Sequence, residues 1–132
     1  MAFAKEMKKA GESLEKLGHE VFLPVDIDIH LSDSSFSDNL KADYKHCVEN
    51  DTIKKCFDLL AKSEAILVLN LRKKDREGYI GTSGMMEIGL AHYLGKKIFL
   101  LNELPNYNDA RWAHEVAIMK PVILDGDFAR IK

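Results

Sequence analysis

Residues 78–102 read GYIGTSGMMEIGLAHYLGKKIFLLN. Gly78, Gly81 and Gly84 punctuate a turn. From Gly84 to Leu94 the pattern predicts a helix, which Gly95 ends. Lys97 to Leu101 (KIFLL) then reads as a strand buried on both faces. Glu87 is the only charged side chain between Glu77 and Lys96, and its neighbours are Met85, Met86, Ile88 and Leu90. On these boundaries it falls in the first helical turn.

The same alternation extends outward. Ala65 to Leu69 (AILVL) is continuously apolar and predicts another buried strand, joined to the turn by the charged loop 71–78. One or two helices precede it over Leu40 to Ser63, with Ile53, Cys56, Phe57 and Leu60 on one face. Phe3, Met7, Ala10, Leu14 and Leu17 recur at spacings of four and three, an amphipathic helix with Gly18 at its left-handed cap. His19 to Leu23 (HEVFL) reads as a short strand stopped by Pro24, and residues 25–39 as loop. Toward the end, Asp109 is placed to cap a helix through Met119, and Pro121 to Leu124 is a last strand broken by Gly126. Strands that alternate with helices predict a doubly wound parallel sheet with helices on both faces. The expected first strand is lacking, because a helix opens the chain at residue 1 or 2. The reading is that a neighbour fills the gap, that an upstream segment is missing, or that Met1 is an internal start.

Length fits a single domain over 1–132. Apolar residues make up 46% and charged residues 30%, with a net charge of -2, so nothing points to nucleic acid. No apolar run approaches the ~20 residues that span a bilayer, and the N-terminus lacks a signal-peptide core. Cys47 and Cys56 read as reduced thiols, and the cytoplasm is the expected compartment.

Two readings of Glu87 stand side by side. Carboxylates are favoured in a first helical turn by roughly 0.3–1 kcal/mol through the helix dipole. Against that, Glu87 shares a face with Leu90, Ala91 and Leu94, and the residue three after Ser83 is Met86, so no capping box forms. A carboxylate kept from water suits nucleophilic attack on an electron-poor carbon. Gly81 and Gly84 sit where the backbone needs φ > 0 or close approach to a ligand. Thr82 and Ser83 offer hydroxyls or N-caps, and first-turn N–H groups suit an anion. Asn70 and Asn102, at strand ends, are polar contacts or strand caps. Lys73, Lys74 and Arg76 either attract a phosphate or are solvated charge. Asp26, Asp28 and His30 alternate and, in an extended segment, would share one side; no metal or cofactor is expected from them or from any other cluster. Trp112 and His114 face a partner subunit, the core or solvent.

The stretch AILVLN…GYIGTSGMMEIGLAHYLGKKIFLLN resembles the core of the nucleoside 2-deoxyribosyltransferase and deoxynucleoside monophosphate N-glycosidase superfamily. The shared pattern is a glycine-containing loop followed by Glu87-Ile88-Gly89-Leu90-Ala91, with Gly95-Lys96-Lys97 leading into a strand. HEVFLP after the first helix is similar in order and spacing. The resemblance implies a flavodoxin-like fold and a homo-oligomer that acts on a small-molecule nucleoside or nucleotide. Glu87 would be the nucleophile on the anomeric carbon. Gly81, Thr82, Ser83 and Gly84 would line the sugar or phosphate, with Asn70 and Asn102 nearby. Tyr79 stands where the transferases usually carry a base-handling aspartate, and Asp75 is the alternative for that task. A non-catalytic nucleotide-sensing module is the other function the resemblance implies.

Overall fold

A computed structural model describes residues 3–33, 35–73 and 75–131. Met1 and Lys74 lie outside them. The chain divides into two compact units, Met1–Leu59 and Leu60–Lys132.

The first unit is helical. α1 (Ala4–Lys16) buries Ala10 and Leu14 of the expected stripe, while Leu17 is exposed. It ends in a Schellman arrangement: Gly18 N–H donates to the Glu15 carbonyl and His19 N–H to that of Leu14. Gly18 takes φ +92°, which a side chain would resist. Residues 19–24 then run over α1, and a methyl on Gly11 would meet Leu23 Cδ2 at 3.3 Å. They pair with no strand among the described residues, which corrects the expected strand at His19–Leu23. Val21 and Leu23 pack against α1 at Gly11 while Phe22 is exposed, and a strand exists only where a neighbour completes its ladder. The expected loop 25–39 is also corrected, since it contains α2 (Ile27–Ser32) and a 3₁₀ turn at Phe36–Asp38. α3 (Leu40–Asn50) begins under a side-chain cap, with Asn39 Oδ1 accepting from Ala42 N–H at 3.2 Å. Asp51, at φ +52°, breaks it from α4 (Thr52–Lys62), so the 40–63 segment is two helices.

The second unit is a parallel three-stranded sheet in the order β1-β2-β3: β1 (Ala65–Val68), β2 (Lys97–Leu100) and β3 (Val122–Ile123). α5 (Thr82–Tyr93) joins the first pair of strands and α6 (Trp112–Ile118) the second. Ile98 and Leu100 of β2, Ile88 and Ala91 of α5, and Val116 of α6 form one buried cluster with Leu60 and Ile80. Ile66 and Val68 pack against the same cluster, so α5 and α6 bury their apolar sides on the same face of the sheet.

β1 departs from its expected burial on both faces. All four of its residues are only half-buried, whereas Ile98, Phe99 and Leu100 of β2 are buried. The cause is position: β1 is an edge strand among the described residues, with β2 on one side only. α6 is shorter than expected. Arg111, not Asp109, stands at its N-cap, and no side chain caps it. Asn106 closes the preceding turn instead, its Oδ1 accepting from Asn108 N–H at 2.8 Å.

Candidate active site

The carboxyl ends of β1 and β2 are clamped together. Asn70 is fully buried and its amide is used at both ends. Nδ2 donates to the Asn102 carbonyl at 2.7 Å, and Oδ1 accepts from Asn102 N–H at 2.8 Å. Asn102, half-buried, returns its own Nδ2 to the Asn70 carbonyl at 3.3 Å. Both asparagines therefore fix the two strand ends relative to each other, with Asn70 turned inward. In open α/β sheets, ligands bind in the crevice outside these strand ends.

The chain comes back to that edge through a hairpin-like loop in which Lys73 and Arg76 exchange backbone hydrogen bonds at 3.0 Å. Arg76 Nη1 donates to the Asp109 carbonyl at 2.8 Å. Lys73 Nζ lies 5.3 Å from the centroid of the Tyr79 ring. Gly78, at φ +68°, is wedged against the segment after β2: a Cβ there would collide with the Glu103 carbonyl oxygen and lie 3.1 Å from Pro105 Cδ. This is the glycine that the turn demands. Gly81, at φ -78° and ψ 173°, is ordinary extended backbone, and Gly84 is helical, so the expected positive φ at both is corrected. At Gly84 a Cβ would meet Ile80 Cγ2 at 3.1 Å, so its small size serves internal packing.

α5 starts two residues earlier than its sequence suggests. Gly81 is the N-cap, no side chain caps the helix, and Thr82 and Ser83 are its first two residues with exposed side chains. They are therefore not N-caps, and they remain available at the helix start. Glu87 moves with the boundary. It lies in the second turn, and the first turn carries no acidic residue. The dipole effect falls off within the first turn, so it no longer accounts for a carboxylate here.

Glu87 is half-buried, on the shoulder of the stripe formed by Ile88 and Ala91. Leu90 is half-buried and Leu94 exposed, so the expected common buried face of Glu87, Leu90, Ala91 and Leu94 is only partly met. A helical side chain leans toward the N-terminus, over residues three and four before it. Those are Gly84 and Ser83, and the space a Cβ on Gly84 would enter is bounded by Ile80 Cγ2.

The remaining candidates separate from this group. Asp75 is almost fully exposed and pairs with Arg72 at 3.5 Å, as a solvated charge does. Asp26 and His30 lie at the start and within a short helix, not in an extended segment. Asp26 Oδ2 is 3.3 Å from His30 Nε2 and 3.9 Å from His46 Nε2, and Phe36 meets both imidazoles edge-on. The spacing of Asp26 and His30 is legible in the sequence; the approach of His46 is not. No group of three or more metal-ligating side chains forms among the described residues. Trp112 is packed against the core, whereas His114 is exposed and meets Tyr107 edge-on at 6.1 Å. The surface hollows lined by Glu15 and residues 18–21, and by Tyr107, Arg111 and His114, do not include Glu87.

Asp33 and Cys47, both in the first unit, titrate away from their ordinary ranges. The Ser35 hydroxyl and amide, at 2.6 and 3.0 Å, hold the Asp33 carboxyl below the usual value. Burial, then the Asp43 carboxylate, pushes the Cys47 thiol up. Neither Cys47 nor Cys56 is in a disulfide. No helix among the described residues is long and apolar enough to cross a membrane.

No family model, curated protein or solved structure matches the chain.

Proposed function

We infer that the chain breaks or exchanges the N-glycosidic bond of a (deoxy)nucleoside or its monophosphate, with Glu87 as nucleophile. The observation that carries this reading is the place of Glu87: half-buried, in the second turn of the helix that follows β1. A carboxylate oxygen attacks C1′ of the sugar, the C1′–N bond breaks, and the base leaves with its electron pair and takes up a proton. Water or a second base then displaces Glu87 from the glycosyl ester. Thr82, Ser83 and the free N–H groups of the α5 start bind the sugar or its phosphate, and Tyr79 lies beside the base.

The same reading places the three strands in a flavodoxin-like, doubly wound sheet with helices on both faces. A further strand would belong on the free edge of β1. The protein acts in the cytoplasm as a homo-oligomer on a small-molecule nucleoside or nucleotide.

A nucleotide-sensing module without turnover is the second reading, favoured by the exposure of Thr82 and Ser83. Incubation with deoxynucleosides and their monophosphates, followed by chromatography, separates the two. Free base, lost in Glu87→Gln, supports the enzyme. Binding without release supports the sensor.

A further inference from the structure

His46 of α3 stands between two partners that make opposite demands on it. On one side is Asn50, one turn further along the helix. Its Nδ2 lies 2.9 Å from the His46 carbonyl oxygen and 3.2 Å from His46 Nδ1. A flipped carboxamide would set oxygen against oxygen at that carbonyl, so Nδ2 is the atom that faces the ring. Nδ2 only donates, so His46 Nδ1 accepts, and the neutral ring carries its hydrogen on Nε2. On the other side is Asp26, whose side chain is 9% exposed. Its Oδ2 is 3.9 Å from His46 Nε2, within reach of an ion pair and beyond that of a hydrogen bond. Nε2 is closed off from solvent and has no hydrogen-bond partner among the described residues. A buried N–H without an acceptor is costly, and here it stops just short of a carboxylate.

The charged and titratable groups around the ring come from three places. The start of α2 supplies Asp26, and α2 supplies His30, whose Nε2 is 3.3 Å from the same Oδ2. The 3₁₀ turn supplies the uncharged Phe36, edge-on to His46 at 5.6 Å. α3 itself supplies Asp43 and Cys47, joined at 3.7 Å, while Lys45 and Glu49 pair with each other in solvent.

We propose that His46 is a two-position, pH-sensitive latch at the end of α3. Neutral, its Nδ1 accepts from Asn50 and holds that side chain over the last turn. The side chain of His46 is 24% exposed while Nε2 is shut off, so solvent delivers a proton to the other edge of the ring. Nδ1 then changes from acceptor to donor and releases Asn50. The ring, now cationic, is drawn to Asp26 and ties α3 to the start of α2. The latch stands apart from the chemistry at Glu87, and its failure leaves that chemistry untouched.

Long-range nitrogen NMR of the full chain between about pH 8 and about pH 5, the span in which imidazoles change charge, tests the latch. At the upper end His46 is expected as the Nε2–H tautomer alone. As it titrates, the side-chain amide of Asn50 should shift to the position of a free carboxamide with the same midpoint. Asn50→Ala, at an exposed site, should keep the fold and let His46 become a mixture of tautomers at the upper end. Asp26→Asn should move the His46 midpoint to lower pH. An Nδ1–H tautomer or a tautomer mixture in the wild type overturns the proposal. An Asn50 amide that does not follow His46, or a folded Asp26→Asn with an unchanged midpoint, overturns it equally.

Discussion

Asn70 joins two strand ends with one side chain, and both ends of its amide are committed in a fully buried place. Asn70→Ala would leave the Asn102 N–H and carbonyl without partners and open a void. The cost is about 2–4 kcal/mol on the unpaired-group and cavity scales, read from urea unfolding. An asparagine after an apolar strand was visible in the sequence, but its partners lie 32 positions away, beyond any local pattern. Cys47 makes a pH-dependent prediction. Its folded thiol holds the proton more tightly than the unfolded one does, because burial and Asp43 oppose the thiolate. The stability it contributes is intact below the ordinary thiol value of about 8.5 and is lost as pH rises through and above it. Cys47→Ala should flatten that alkaline decline in thermal unfolding.

At the scale of elements, α5 shows what sequence reading resolves. Its existence and its end at Gly95 were legible, because apolar periodicity and a left-handed glycine are local signals: Gly95 takes φ +72°, and Lys96 N–H donates to the Ala91 carbonyl at 2.9 Å. Its start was not. Gly84 looks like a turn residue, yet it is helical and its lack of a Cβ serves packing against Ile80. The two-residue shift moved Glu87 out of the first turn and changed its meaning. HEVFL was misread for the converse reason, since strand propensity is realised only against a partner. Two glycines should separate by mechanism in chemical unfolding. Gly95→Ala meets no neighbour within 4 Å and costs only left-handed strain, about 1 kcal/mol. Gly78→Ala adds a collision with the Glu103 carbonyl and should cost at least about 3 kcal/mol.

For the molecule as a whole, the alternation of strands and helices announced a parallel sheet, and three parallel strands in sequential order are present. What alternation could not convey is where the sheet stops. The β1 residues face β2 through the alternate positions 64, 66 and 68, with Lys97 N–H on the Glu64 carbonyl and Leu101 N–H on that of Val68. Ala65 and Leu67 point their backbone groups to the open edge. The proposed chemistry depends on this sheet to hold the start of α5 beside the ends of β1 and β2.

The most direct test of that chemistry is intact-protein and peptide mass spectrometry after rapid quenching with a deoxynucleoside or its monophosphate. The account predicts an added deoxyribosyl group on the peptide that contains Glu87, absent from Glu87→Gln. Release of base that survives Glu87→Ala, with no sugar on that peptide, would contradict it.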